Sequence, residues 1–150
     1  MENSYYYYDN EAIGAFVIEN VLKELTIISL AKSLLLLPIF LHDPIVKRLS
    51  SSAKYRSIDE FLVKERINLG DFNLRMQNLL PITINSISIL KDIKTVTQEG
   101  VFLKANTMKV PVKKIDIGKR AERILRVIPK STFLFVEDDA STFLKFNIEL

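Results

Sequence analysis

The chain has 150 residues, enough to bury a sizeable core without a metal or disulfide staple. It has no cysteine, which excludes a disulfide framework, thiolate-bound zinc, an iron–sulfur cluster and a Cys nucleophile. Its net charge of +3 is uneven: residues 101–130 hold 9 Lys/Arg against 2 Asp/Glu, residues 1–100 hold 11 against 12, and residues 131–150 hold 1 against 4. Such a basic segment suggests an acidic partner, either a nucleic acid or an acidic protein face. The apolar fraction of 48% is high for a soluble domain, and four glycines are too few for an all-β protein rich in tight turns. Either the core is well filled or a partner covers part of the surface.

Residues 1–9 read as an N-terminal arm carrying four consecutive tyrosines, Tyr5, Tyr6, Tyr7 and Tyr8. Asp9 or Asn10 can cap a first helix, along which Ile13, Phe16, Val17, Val21 and Leu25 recur at helical spacing. Thr26 to Leu30 is ambiguous between helix and a β-like bend. Lys32 to His42 reads as a second, deeply buried helix, apolar on all sides, with a kink or restart at Pro38. Asp43-Pro44 looks like a cap followed by proline at the first helical position, opening a short helix through Leu49.

Ser57 and Glu60 form a capping box for a helix to about Arg66. Leu69 to Ile93 is helical, with Phe72, Met76, Leu79, Ile84, Ile87 and Leu90 on one side and Pro81 as a divide or kink. A β-hairpin turns at Glu99-Gly100. Ile117 to Ile128 is amphipathic, with Ile117, Ala121, Ile124, Leu125 and Ile128 inward, and Pro129 stops it. Thr132 to Val136 is expected to be extended, and Asp138 or Asp139 caps a last helix ending near Phe146. The expectation is one mainly α domain spanning residues 1–150, a compact helical unit with a late β-hairpin. A winged-helix-like module is a second reading of the same pattern.

No membrane span is expected. The best candidate, Leu25 to Leu41, holds Lys32, which costs about 2.5–3.5 kcal/mol at a helix centre, and Pro38 breaks it. The uncharged run from Ser33 to Leu41 is far short of the roughly 20 residues needed. The N-terminus lacks the basic-then-apolar pattern of a signal peptide, so the cytoplasm is the expected location.

Little points to catalysis, and a non-enzyme is expected. His42 is the only histidine, so neither a Ser–His–Asp triad's relatives nor a His-rich metal site follow from the pattern, and Asp43 beside it reads as a helix cap. The acidic clusters Asp59-Glu60 and Glu137-Asp138-Asp139 each open an expected helix, where the dipole favours negative charge. Gly14, Gly70, Gly100 and Gly118 are isolated, so neither a Walker A loop nor a dinucleotide fingerprint can form. No cofactor is expected on this chain.

The strongest polar feature is the basic stripe Lys113, Lys114, Lys119, Arg120, Arg123, Arg126 and Lys130. Lys119, Arg123, Arg126 and Lys130 line the polar side of the late helix, with Arg120 beside them. The stripe is a solvated face, a contact to an acidic protein, or a contact to the DNA backbone that would be salt-dependent and indifferent to sequence. Tyr5 to Tyr8 either anchor a partner or pack on their own domain.

The order of short motifs resembles the middle component of three-component ABC systems, the bacterial conflict operons among which Lamassu-type defence belongs. Asn10-Glu11-Ala12-Ile13-Gly14-Ala15-Phe16 is similar to the family's N-terminal helix, and Leu37-Pro38-Ile39-Phe40-Leu41-His42 to its hallmark apolar run. Ser57 to Leu62, Arg75 with Leu79-Leu80-Pro81-Ile82-Thr83, Gly100, the basic helix Lys119 to Arg126, and Phe143 to Ile148 follow in the same order. The family's Gly and aromatic residue in the late basic helix are missing from Arg123 to Val127. The resemblance implies a non-catalytic adaptor linking an SMC- or Rad50-like ABC ATPase to an effector, often a nuclease, in anti-phage or anti-plasmid defence. ATP and Mg²⁺ would then sit on the partner ATPase alone. A reading of a different class is a stand-alone winged-helix-like DNA-binding regulator.

Overall fold

The computed structural model describes residues 10–106 and 118–149. Helix α1 spans Glu11–Leu25. Asn10 starts it: its extended backbone leaves the side-chain Oδ1 to accept from the N–H groups of Ala12 and Ile13, at 3.0 and 3.2 Å. Gly14, Val17, Ile18, Val21 and Leu22 recur at three- and four-residue spacing and are buried. Thr26 ends the helix with a positive φ of 71°, its N–H turning back to the Leu22 carbonyl.

The ambiguous stretch after it is a strand, β1 (Ile27–Ser29). The expected hairpin is present as β2 (Val96–Glu99) and β3 (Phe102–Ala105), turning through Gly100 at φ 59°. Strand β3 pairs antiparallel with both others, Ile28 opposite Leu103 and Gln98 opposite Leu103, giving the order β1-β3-β2. A strand delivered after the first helix thus completes the sheet of the late hairpin.

Between α1 and the hairpin the sequence expectations need four corrections. Lys32 to His42 is two short helices, α2 (Leu30–Ser33) and α3 (Leu36–Phe40), and the break falls at Leu34–Leu35 rather than at Pro38. Pro38 lacks the N–H that would return to the Leu34 carbonyl, and Ser33 Oγ bonds the Leu30 carbonyl at 2.6 Å, so both loosen the turn ahead of the proline. Helix α4 (Asp43–Ser50) has His42 as its cap residue, with Asp43 already in the first turn. Helix α5 (Ile58–Lys64) begins at Ser57, whose Oγ accepts from the Glu60 N–H, but Glu60 reaches back to the Arg56 N–H instead of closing the box on Ser57.

Helix α6 (Phe72–Asp92) is continuous through Pro81. Pro81 and Gln77, whose carbonyl loses its partner, are both exposed, so water can satisfy the freed group. Helix α7 (Gly118–Val127) buries Ala121, Ile124 and Val127, while Ile117 lies outside the described residues. The stretch expected to be extended is a 3₁₀ helix, Pro129–Phe135, continuing from α7; Ser131 Oγ donates to the Ile128 carbonyl and fixes its first turn. Helix α8 (Asp139–Lys145) is capped by Asp138, whose side chain accepts from the Ser141 N–H.

The molecule is mainly α with one small antiparallel sheet. Helices α1 and α6 lie against each other, α3 packs on both, and α7 packs on α4. Leu35, Leu36, Leu37, Ile39 and Phe40 are at most 1% exposed, so the most apolar run in the sequence is the centre of the core. No helix among the described residues is long and apolar enough to cross a membrane.

Candidate interaction surfaces

The basic stripe separates into two roles. Lys119, Arg123, Arg126 and Lys130 are exposed, and on α7 their spacing of about one and two turns sets Lys119, Arg123 and Arg126 in a row. Glu122 flanks the row and meets Arg126 at 3.9 Å, a weak contact in solvent. Arg120 turns inward instead: its Nη2 donates to the Leu41 carbonyl at 3.1 Å and its Nε lies 3.8 Å from Asp43. It is therefore a tie between α7 and the end of the α3 segment. Lys113, Lys114 and the tyrosines Tyr5, Tyr6, Tyr7 and Tyr8 lie outside the described residues.

A second arginine serves the same buried segment. Arg75 on α6 is 9% exposed and directs Nη2 at the Pro38 carbonyl, at 3.4 Å, while it also pairs with Asp71 and bonds the Asn68 carbonyl. Two guanidinium groups thus meet carbonyls at the C-terminal end of α3, where helix carbonyls lack intrahelical partners. His42 sits beside them, half-buried. Burial and the positive charge of Arg75 hold its pKa below the ordinary histidine value. Among the described residues no group of three or more His, Cys, Asp or Glu could hold a metal ion.

The acidic clusters supply structural ties. Asp59 on α5 and Glu137 before α8 both accept from Lys145 Nζ, at 2.7 and 2.8 Å, clamping α5 to α8. Glu65 was not singled out by its sequence context, yet it is the most buried charge of the described residues at 1% exposure. Burial alone would raise its pKa, but hydrogen bonds from Tyr55 Oη (2.6 Å), Arg48 Nε (2.9 Å) and Asn68 Nδ2 (2.9 Å) outweigh that and lower it. Burial and the same bond raise the Tyr55 hydroxyl to about 12.

The outward face of α6 is the surface that sequence reasoning missed. Ile84, expected in the core, is 55% exposed; Leu74 (59%), Leu80 and Ile89 share the helix's solvent side. From Phe72 to Leu90 this helix offers no exposed cation. Beside it, α2, the second half of α6 and β2 enclose a groove of about 360 Å³ lined by Leu30, Ala31, Leu34, Ile84, Ile87 and Lys91.

A family model described as the ABC-three component (ABC-3C) system Middle Component 3 matches residues 1–137. The chain belongs to this family. No curated protein and no solved structure matches it.

In this middle component the family-like motifs have physical roles. Asn10 caps α1, and Gly14 lets α1 approach α6: a Cβ there would collide with Ser86 Oγ and lie within 3.2 Å of Leu37. Thr83 Oγ1 returns to the Leu79 carbonyl at 3.0 Å, within the turn that holds Pro81. Arg75 and Arg120 both hold the Leu37–His42 hallmark. The matched stretch ends before α8, so the likeness seen at Phe143 to Ile148 lies beyond it.

Proposed function

We propose that this middle component is a non-catalytic adaptor joining an SMC- or Rad50-like ABC ATPase to an effector nuclease in a bacterial defence complex of the Lamassu type, acting in the cytoplasm. The observation that carries the reading is the family match over residues 1–137. The surface supports it: an adaptor must present faces to other proteins, and the exposed aliphatic side chains of α6 are a face of that kind. No cofactor is assigned to this chain; ATP and Mg²⁺ belong to the ATPase in this reading. The test is affinity purification of the tagged chain from cells expressing its neighbouring genes. Recovery of the ATPase in stoichiometric amount is expected; recovery of none would refute the reading.

The alternative, a stand-alone winged-helix-like DNA-binding regulator, draws on the exposed row Lys119, Arg123, Arg126 and Lys130. Against it stands α6. A helix that reads DNA needs cationic side chains for the phosphates, and the helix preceding this hairpin exposes none from Phe72 to Leu90, while it does expose Leu74, Leu80, Ile84 and Ile89. In the adaptor reading the α7 row meets an acidic protein surface or the DNA backbone held by the ATPase. A gel-shift titration separates these: if the row meets DNA, reversing Arg123 and Arg126 to Glu weakens binding and lowers the salt slope by about 2.

A further inference from the structure

We infer that the groove between α2, α6 and β2 is the docking site for an amphipathic helix of a partner protein, one that carries aliphatic anchors on one face and a carboxylate at its end of the groove. The inference rests on the adaptor reading and assigns it a surface.

Three observations carry it. The lining is aliphatic where a ligand would lie: Leu30, Ala31 and Leu34 are half-buried on one wall, and Ile84, 55% exposed, stands above buried Ile87 on the other. Ile84, Ser88 and Lys91 follow one another along the α6 wall about one turn apart, the rise that the side chains of an incoming helix would match. Most informative is the charge. Lys91 is the only ionic group of the lining, and its Nζ is held at 2.8 Å by the neutral Gln98 Oε1, whose own Nε2 is tied to the Gly100 carbonyl at 3.0 Å.

An ammonium has three donors, and a fixed amide accepting one of them sets the cation in place without neutralising it. No carboxylate among the described residues forms an ion pair with Lys91, whereas Lys32 nearby on α2 is occupied by Asp139 and the Phe135 carbonyl. An apolar trough ending in one positioned, uncompensated cation is complementary to a ligand that is apolar along its length and anionic at that end. A nucleic acid is the poorer match, because Lys91 is the single cation of a lining that is otherwise neutral and mostly aliphatic.

The absence of cysteine makes the test specific, since Ser88→Cys provides a single thiol. The Ser88→Cys protein, labelled with a benzophenone maleimide, is incorporated into the complex with its co-expressed ATPase and effector and irradiated. The expected product is a crosslink to one partner segment with aliphatic residues at helical spacing and an Asp or Glu within a turn of them. Ile84→Asp and Lys91→Glu, both at exposed positions, should each weaken that partner's binding about tenfold with an unchanged thermal transition. A Lys at the crosslinked carboxylate should restore binding to Lys91→Glu. If the complex assembles but gives no crosslink, or one to residues 1–9 or to a second copy of this chain, the groove inference fails and the adaptor reading survives. If no complex assembles, both fail.

Discussion

Tyr55 and Glu65 give the sharpest predictions at the scale of single residues. Their 2.6 Å bond joins the loop before α5 to the turn after it, and Tyr55 also stacks on Phe133, with ring centroids 5.6 Å apart. Tyr55→Phe keeps the ring and leaves a buried carboxylate one donor short, so unfolding in urea should show a loss of about 1–3 kcal/mol. The same pair shapes the pH profile. Glu65 has a folded pKa below its unfolded value, so its stabilisation is present above the ordinary glutamate range and is lost as pH falls through the lower folded value. Tyr55 has a raised folded pKa, so its stabilisation is complete below about pH 10 and is lost as pH rises towards about 12. Midpoint measurements across pH 9–12 should therefore fall for the parent protein and fall less for Tyr55→Phe. Gly14→Ala should also destabilise, through the collision with Ser86 Oγ, and Ser86→Ala in the same chain should recover part of the loss.

At the scale of elements, the two arginines that hold the α3 segment behave differently from their neighbours on the surface. Arg120→Ala removes the donor to the Leu41 carbonyl and should cost about 1–2 kcal/mol, whereas Arg123→Ala, one turn along the same helix, should leave the melting temperature unchanged. Sequence placed both in one basic stripe, because spacing shows which side of a helix a residue is on and not how far a guanidinium at the edge can turn back. Leu37→Asp buries a charge in a fully enclosed position, and circular dichroism should report an unfolded chain. Periodicity and caps were enough to find α1, α4, α5, α7, α8 and the hairpin. They left alternatives open where tertiary structure decides: β1 exists because β3 is there to pair with it, and α6 is not divided at Pro81 because the freed carbonyl faces solvent.

At the scale of the whole molecule, the candidate surfaces were legible in unequal measure. The exposed row on α7 could be read directly, since its cations sit opposite Ala121 and Ile124 at helical spacing. The α6 face could not. In sequence Ile84 belongs to an apolar series with Met76 and Ile87, and only the placement of α1 and α3 against α6 leaves it outside. Two unlike surfaces on one small chain, a cationic row and an aliphatic groove, suit a component that bridges partners. The most direct measurement is the mass of the assembly formed by the co-expressed ATPase and effector with and without this middle component. The adaptor account predicts a three-part complex when it is present and separate ATPase and effector when it is absent. Equal association of those two partners without it would contradict the account.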